Sequence, residues 1–314
     1  MTTMLVASSG GHFTQLAELW PRIHGVSQEC VWVTFDSPQT RSMLKDQPMV
    51  EYVPYIRPRG LTSVLRNVPQ AFRLIRKYNV DTVISTGSAI ALAYLPYSAV
   101  RGIPTHYIES ATRVEGPSVT GKALCKVPGI KFYNQHESWA NDQWKFLGSV
   151  FDGFSAVPLA QKPTSIKRAV VSVGTMEDYS FRDFFVRLAD YLSGAESVLW
   201  QTGSSDVSDL NIDGKEVVPA HELEQAMRDA DVVIAHAGTG TALTSLKMGK
   251  RPILIPRDSS HGQHIDDHQF QTAALLDRMG LALSRKVEEL SKTDLLDAAG
   301  FEVIRSDTPK LLHL

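Results

Sequence analysis

The sequence predicts two α/β units in series, each a parallel sheet wound with helices, and three observations carry that prediction. Short β-branched apolar runs alternate with helical patterns along most of the chain, as βαβ units and a doubly wound sheet require. The regular patterning weakens after Gly148, and a stretch containing Gly153, Pro158 and Pro163 puts a boundary near 155–165, giving units 1–160 and 161–314. At 314 residues, each unit is long enough to bury its own core.

In the first unit a strand over 4–8 runs into the turn Gly10-Gly11-His12. A helix over 13–23 then presents Leu16, Leu19, Trp20 and Ile23 on one face. A strand over 30–35, a short helix over 38–45 and a strand over 50–55 follow. The helix expected over 61–78 spaces Val64, Leu65, Val68, Phe72 and Ile75 between arginines. A strand over 82–85, an apolar helix over 89–100 that Pro96 should kink, and a strand over 104–109 complete the series.

The second unit starts with a strand over 169–173 and a helix over 181–192. Strands over 198–201 and 216–218 and a helix over 222–230 come next. Its most informative stretch is 232–269. Val232-Val233-Ile234-Ala235 is too short for a helix and reads as a buried parallel strand ending at His236. The side-chain-poor turn Ala237-Gly238-Thr239-Gly240-Thr241 leads into a helix over 241–248 that Gly249 ends. A strand over 252–256 opens a loop bearing Arg257, His261, His264, Asp266, Asp267, His268 and Gln269, and helices over 267–279 and 287–299 follow. A strand, a glycine-rich turn and a helix N-terminus make an anion site, because free amides and the helix dipole point at the ligand. Alone, the turn would read as an ordinary βα connection. The His/Asp/Gln loop one strand later favours a nucleotide-diphosphate pocket.

Composition narrows the class. Hydrophobic content of 43% and charged content of 21% are ordinary for a globular protein. Cys30 and Cys125 are the only cysteines, which excludes a disulfide framework and metal-type Cys spacing and fits a reducing cytoplasm. The start, Met1 to Ala7, has neither a basic region nor a long apolar core, so no secretory leader is expected. No run approaches the roughly 20 apolar residues of a spanning helix. The net charge of −2 hides an asymmetry: 15 Lys and Arg against 11 Asp and Glu through residue 160, then 17 against 23. Between Tyr52 and Val80 there is no acid, yet Arg57, Arg59, Arg66, Arg73, Arg76 and Lys77 occur there. That local patch suits an anionic lipid surface or a diphosphate-bearing substrate better than nucleic acid.

Three motifs together resemble one family. Ser8-Ser9-Gly10-Gly11-His12, then Tyr107-Ile108-Glu109-Ser110-Ala111-Thr112-Arg113 with Ser118-Val119-Thr120-Gly121-Lys122, resemble the membrane-anchoring subunit of the two-component N-acetylglucosaminyltransferase of dolichol-linked oligosaccharide synthesis. His236-Ala237-Gly238-Thr239-Gly240-Thr241 through Asp267-His268-Gln269 resembles its catalytic, donor-binding partner. Bacterial exopolysaccharide and capsule glycosyltransferases have the same halves, and Pro256-Arg257 with Gly262-Gln263-His264 and Asp267-His268-Gln269 is most similar to those. The order here would be a fusion, acceptor half first, as in the glycosyltransferase that completes lipid II. The resemblance implies a GT-B fold of two Rossmann-like domains facing each other across a cleft. It implies an inverting, metal-independent transfer from a UDP-sugar to a polyprenyl-diphosphate-linked acceptor, in exopolysaccharide or cell-envelope glycan synthesis, peripheral on the cytoplasmic face of the plasma membrane. No cofactor is expected; a second copy of the chain or other glycan-assembly enzymes remain as protein partners. The alternatives are a nucleotide-sugar 2-epimerase of the same fold and a non-catalytic nucleotide-sugar-binding scaffold. A dehydrogenase is disfavoured because the first turn has no G-x-G-x-x-G.

Each candidate residue carries an alternative. His12 is either the general base for the acceptor hydroxyl or a ligand of the acceptor diphosphate. Gly10 and Gly11 either admit acceptor phosphates to the backbone or only make a turn. Glu109 ends a buried strand, where an unpaired carboxylate is costly. It is the second candidate for base, or else it pairs with Arg113 to fix the loop; Ser110 and Arg113 fall on the acceptor side. Gly174 and Thr175 follow the first strand of the second unit, as donor-phosphate contacts or a plain turn. His236 reaches the pocket rim or packs as a satisfied histidine. The donor set is completed by Gly238, Thr239, Gly240, Thr241, Arg257, His264, Asp267, His268 and Gln269, although Asp267 can simply cap its helix. His264 and His268 stand at i, i+4 without the Glu of a His-Glu-x-x-His site, so no metal is expected. One departure stands out: many relatives hold the ribose with a Glu where this chain has Thr244 and Ser245. The basic 57–77 segment and the apolar 89–97 stretch are candidates for membrane docking, against the alternative of a solvated basic face.

Overall fold

Continuous apolar runs in this chain become strands buried on both faces. The computed structural model describes residues 1–57, 60–174, 180–258, 268–307 and 310–314, with His268 by its backbone alone. In the first unit the strands are β1 (Thr2–Ala7), β2 (Ile23–His24), β3 (Cys30–Phe35), β4 (Val50–Val53), β5 (Val80–Gly87), β6 (Thr105–Ile108), β7 (Ile130–Asn134) and β8 (Trp144–Phe146). Its helices are α1 (Gly11–Leu19), α2 (Pro38–Met43), α3 (Leu61–Lys77), α4 (Ala91–Val100) and α5 (Val119–Leu124). All six residues of β1 and all six of β3 are buried, as central strands covered by helices on both faces demand. Burying Met4, Leu5 and Val6 contributes about 1.5–3 kcal/mol per side chain, which is why the apolar run anchors the sheet.

The first unit is a parallel sheet in the order β4-β3-β1-β5-β6-β7-β8. The chain turns from one side of β1 to the other between β3 and β5, so the switch point lies between β1 and β5. Ligands bind outside the carboxyl ends of strands at such a point, because the loops there diverge and leave a crevice. The turn carrying His12 follows β1 directly.

The second unit repeats the plan with β9 (Phe154–Pro158), β10 (Arg168–Ser172), β11 (Ser197–Gln201), β12 (Gly214–Lys215), β13 (Val232–His236), β14 (Ile253–Ile255), β15 (Leu283–Ser284) and β16 (Phe301–Arg305). Its helices are α6 (Arg182–Tyr191), α7 (Ala220–Asp229), α8 (Thr239–Lys247), α9 (His268–Arg278) and α10 (Lys292–Ala299). Six strands run parallel in the order β12-β11-β10-β13-β14-β15, with the switch point between β10 and β13. The Ala237–Thr241 turn follows β13, so this unit also puts its glycine-rich turn at the switch.

Three expectations need correcting. The chain divides at Asp152/Gly153, ahead of the 155–165 boundary, and residues 309–314 return to the first unit. Phe154–Pro158 is no linker: it pairs antiparallel with β16. The returning end forms β17 (Leu312–His313), where Leu312 pairs with Ile23 and Lys310 O accepts from the buried Arg22 guanidinium. The strand expected over 216–218 forms two residues earlier, as β12, because its pairing is with Trp200 and Gln201. On α3, Val64, Ala71, Leu74 and Ile75 face the core, while Leu65, Val68 and Phe72 face outward.

Candidate active site

In the first unit the site begins where β1 ends. Gly10 adopts φ +84, a conformation that side chains rarely take, and caps α1 with no side-chain hydrogen bond. The first turn of α1 carries no acid, so no carboxylate there offsets the positive end of its dipole, and the Gly10 amide donates to Gln39 Oε1 at 2.8 Å. Gly10, Gly11 and His12 are half-buried. The His12 ring is held from behind: Nδ1 lies 2.7 Å from the Thr86 carbonyl, and Thr86 Oγ1 donates back to the His12 carbonyl at 2.8 Å. A carbonyl only accepts, so this bond places the proton on Nδ1 and makes Nε2 the ring's acceptor nitrogen. Gly87, next in β5, has φ +95. A Cβ there would lie 3.3 Å from His12 Cε1, His12 Nδ1 and Tyr107 Oη, so the ring's seat requires glycine.

Glu109, at the end of β6, is fully buried, and four donors converge on its carboxylate. Oε1 accepts from Ser110 N at 3.0 Å and Tyr107 Oη at 3.3 Å; Oε2 accepts from Ser118 N and Ser118 Oγ, both at 2.9 Å. Burial pushes the carboxyl above the usual carboxylate range, against the pull of those donors and of Arg113. An acceptor hydroxyl would have to displace one of them to reach it. Ser110 Oγ accepts from Gln15 Nε2, and the Arg113 carbonyl accepts from Trp139 Nε1.

In the second unit, the loops after β10 and β13 meet at one histidine. A Cβ on Gly174 (φ +74) would lie 2.7 Å from His236 Cε1, and a Cβ on Gly238 would collide with His236 Nε2. Both glycines therefore exist to seat this half-buried ring. Gly238 caps α8 without a side-chain bond, and the helix has no acid in its first turn. Thr239, its first residue, is buried with Oγ1 unpartnered among the described residues. Arg257, just past β14, is 1% exposed. Nη2 donates to the Val173 carbonyl at 3.1 Å, and the guanidinium lies 5.7 Å from the Phe181 ring centroid, while Nε and Nη1 find no partner among the described residues. Burial draws its pKa down to about 10. An uncapped helix start beside β13, a buried orphan hydroxyl and a buried guanidinium with two idle donors make an anion-accepting unit.

The profile of the glycosyltransferase family 28 C-terminal domain matches residues 168–298, the span holding these second-unit features. The chain is 21% identical, over 335 aligned positions covering 99% of it and 91% of the relative, to the UDP-N-acetylglucosamine--N-acetylmuramyl-(pentapeptide) pyrophosphoryl-undecaprenol N-acetylglucosamine transferase of Coxiella burnetii strain RSA 493 / Nine Mile phase I. Among solved structures it superposes on MurG of Acinetobacter baumannii with a TM-score of 0.59 at 20% identity, covering 94% of this chain and 88% of that one. The glycosyltransferase SnogD of Streptomyces nogalater gives 0.56 at 16% identity, covering 95% and 92%. The protein is a glycosyltransferase with a GT-B fold.

The glycosyltransferase brings its predicted residues together unit by unit. Gly10, Gly11, His12, Glu109, Ser110 and Arg113 lie at the carboxyl ends of β1 and β6; Gly174, His236, Gly238, Thr239, Gly240 and Thr241 lie at those of β10 and β13. Gln269 is buried, and its Oε1 accepts from the Arg257 amide at 3.0 Å, which ties α9 to the strand end. Thr175, His261, His264, Asp266 and Asp267 lie outside the described residues, as does the His268 side chain. At the position of the missing ribose Glu, Ser245 turns inward, donating to the Thr241 carbonyl at 3.0 Å, and Thr244 is half-buried. Sequence reasoning missed Thr86, Gly87, Gln15 and Gln135, and gave Tyr107 no role beyond its place in a motif. The available signal was a polar Gln15 among the apolar residues of α1.

Proposed function

We propose that this glycosyltransferase moves a sugar from a UDP-sugar to a polyprenyl-diphosphate-linked acceptor, with inversion and without a metal, in exopolysaccharide or cell-envelope glycan synthesis. The first unit is the acceptor half and the second the donor half of one chain. The observation that carries the reading is the anion-accepting end of the second unit: the uncapped α8, the buried Thr239 hydroxyl and the idle nitrogens of Arg257. A UDP-sugar diphosphate would satisfy all three, and its charge grows as the sugar leaves, so donors that bind it also lower the barrier. His12 Nε2 takes the proton from the acceptor hydroxyl. The oxygen attacks the anomeric carbon opposite the diphosphate, that carbon–oxygen bond breaks with its electrons going to UDP, and the configuration inverts. The positive end of the α1 dipole faces the acceptor diphosphate.

The relative from Coxiella burnetii is named for a UDP-N-acetylglucosamine donor and a pyrophosphoryl-undecaprenol acceptor, which supports this class of substrates. For the lipid end, α3 supplies an outward stripe of Leu61, Leu65, Val68 and Phe72 flanked by Arg66, Arg73 and Arg76. Such a stripe suits peripheral attachment to an anionic inner leaflet. Among the described residues no helix is long and apolar enough to cross a membrane.

The test is incubation with a panel of UDP-sugars and a polyprenyl-diphosphate-linked sugar, following lipid-linked product by mass. One donor should give product, and His12→Ala should lower kcat by roughly 10²–10⁴-fold with UDP affinity kept. UDP binding without transfer from any donor would overturn the proposal, and an epimerised UDP-sugar formed without acceptor would point to the epimerase.

A further inference from the structure

The loop between Glu109 and Ser118 is tied down from both ends by side chains that never reach solvent. Gln15, on the buried face of α1, accepts from Ala111 N at 2.8 Å and from Gln135 Nε2 at 3.1 Å, and donates to Ser110 Oγ at 3.0 Å. Gln135 also donates to the Glu109 carbonyl at 3.0 Å and accepts from Val150 N at 2.9 Å. The Glu109 carboxylate joins Ser110 N at one end of the loop to Ser118 N and Oγ at the other. Helix α5 packs so closely that a Cβ on Gly121 would sit 2.5 Å from Glu109 Oε2. His136 Nε2, 2.7 Å from the Ala111 carbonyl, adds a further tie.

We propose that Glu109, Gln15 and Gln135 are positioning residues, which clamp the 110–118 loop to α1, the helix whose first turn carries His12. The loop and the base are then presented to the acceptor in one fixed geometry. A buried polar network with every member satisfied is rigid, and one with a missing member is costly, so the arrangement has a single low-energy form. The chemistry of position 109 follows from its neighbours. Four donors face two oxygens, and only a carboxylate offers acceptors on both sides. A glutamine there would set an NH2 group against donors.

The clamp rests on the acceptor reading only for its kinetic consequence, so the test has two arms on the full-length protein. In the first, amide hydrogen exchange is compared for wild type, Gln15→Met, Glu109→Gln and the milder Ser118→Ala. Each variant should speed exchange at amides 110–118 by roughly tenfold or more, with the second unit unchanged. In the second, steady-state kinetics should show the acceptor KM raised by roughly tenfold in Gln15→Met and Ser118→Ala, with donor KM and kcat within about threefold. The acid limb of the kcat–pH profile should survive in Glu109→Gln. The clamp is overturned if Gln15→Met and Ser118→Ala exchange at the wild-type rate. It is also overturned if Glu109→Gln loses both turnover and the acid limb while loop exchange stays normal, which would make Glu109 the base. Should Glu109→Gln fail to fold, the other two variants decide. A wild type that transfers no sugar would remove the acceptor reading, and the exchange arm would still judge the clamp.

Discussion

At Arg257 the second unit keeps a charge in surroundings that do not pay for it. The guanidinium is buried, its pKa is pulled down, and two of its nitrogens lack partners among the described residues. Removing such a group from a protein without its anion relieves a desolvation cost of several kcal/mol, whereas removing it from the complex loses a charge-assisted bond. Arg257→Met is therefore expected to melt no lower than wild type and to bind UDP at least about tenfold more weakly. Calorimetric titration with a thermal melt checks both. Lost stability with unchanged UDP affinity would make Arg257 a tie between Val173 and Phe181. Arg257 and His12 stood out in the sequence as candidates because their chemistry belongs to the residue type. Thr86 did not, because its working atom is a backbone carbonyl, which nearly every residue has in the same form. For Glu109 the sequence offered base, acceptor ligand or a loop-fixing pair with Arg113, but not the four donors around its carboxylate, which come from positions 107, 110 and 118.

Among the elements, α3 has the most consequential face. Leu61 and Leu65 are 72% and 68% exposed, and with Val68 and Phe72 they recur at i, i+4, i+7 and i+11, one stripe along the helix. Arg76 lies over the Phe72 ring at 5.4 Å, so charge and apolar surface are interleaved. Leu65→Asp with Phe72→Asp is expected to cut binding to phosphatidylglycerol vesicles by roughly tenfold or more while UDP binding stays unchanged. Vesicle co-sedimentation measures it, and equal binding by the variant would remove α3 from the membrane contact. The apolar periodicity revealed that α3 exists but left its inner face open, because hydrophobic residues lie on two sides and only packing against α4 selects one. Long elements were generally legible: β3 runs Cys30–Phe35 as its apolar run predicts. The short strands β8 and β15 were not, and β12 was expected two residues late, because backbone pairing at a sheet edge leaves almost no period in the side chains.

At the scale of the molecule, buried histidines set the response to acid. His106 is buried against the Tyr133 ring, with Nδ1 3.3 Å from Tyr133 Oη, and burial with the nearby Lys131 holds its pKa down to about 4. His136 is lowered by burial as well. A histidine whose folded pKa lies below its unfolded value stabilises the fold above about pH 6.5, and that stability drains as pH falls toward 4, because the unfolded chain takes up the proton first. Glu109 has the opposite sign: its raised pKa contributes below the ordinary carboxylate range and is lost as pH rises through the folded value. The histidine effect opens first on acidification. Between pH 7.5 and 5.0, His106 alone should remove about 2 kcal/mol. Denaturant melts at the two pH values check this, and His106→Phe should flatten the difference; an unchanged slope in that variant would exclude His106. The path of the chain has a consequence for synthesis. Residues 153–308 are an insertion in the first unit, which recovers 309–314. On the ribosome, the unit begun first is thus the last to be finished. The second unit has emerged in full while the Arg22 guanidinium still awaits the Lys310 carbonyl and Ile23 its neighbour Leu312.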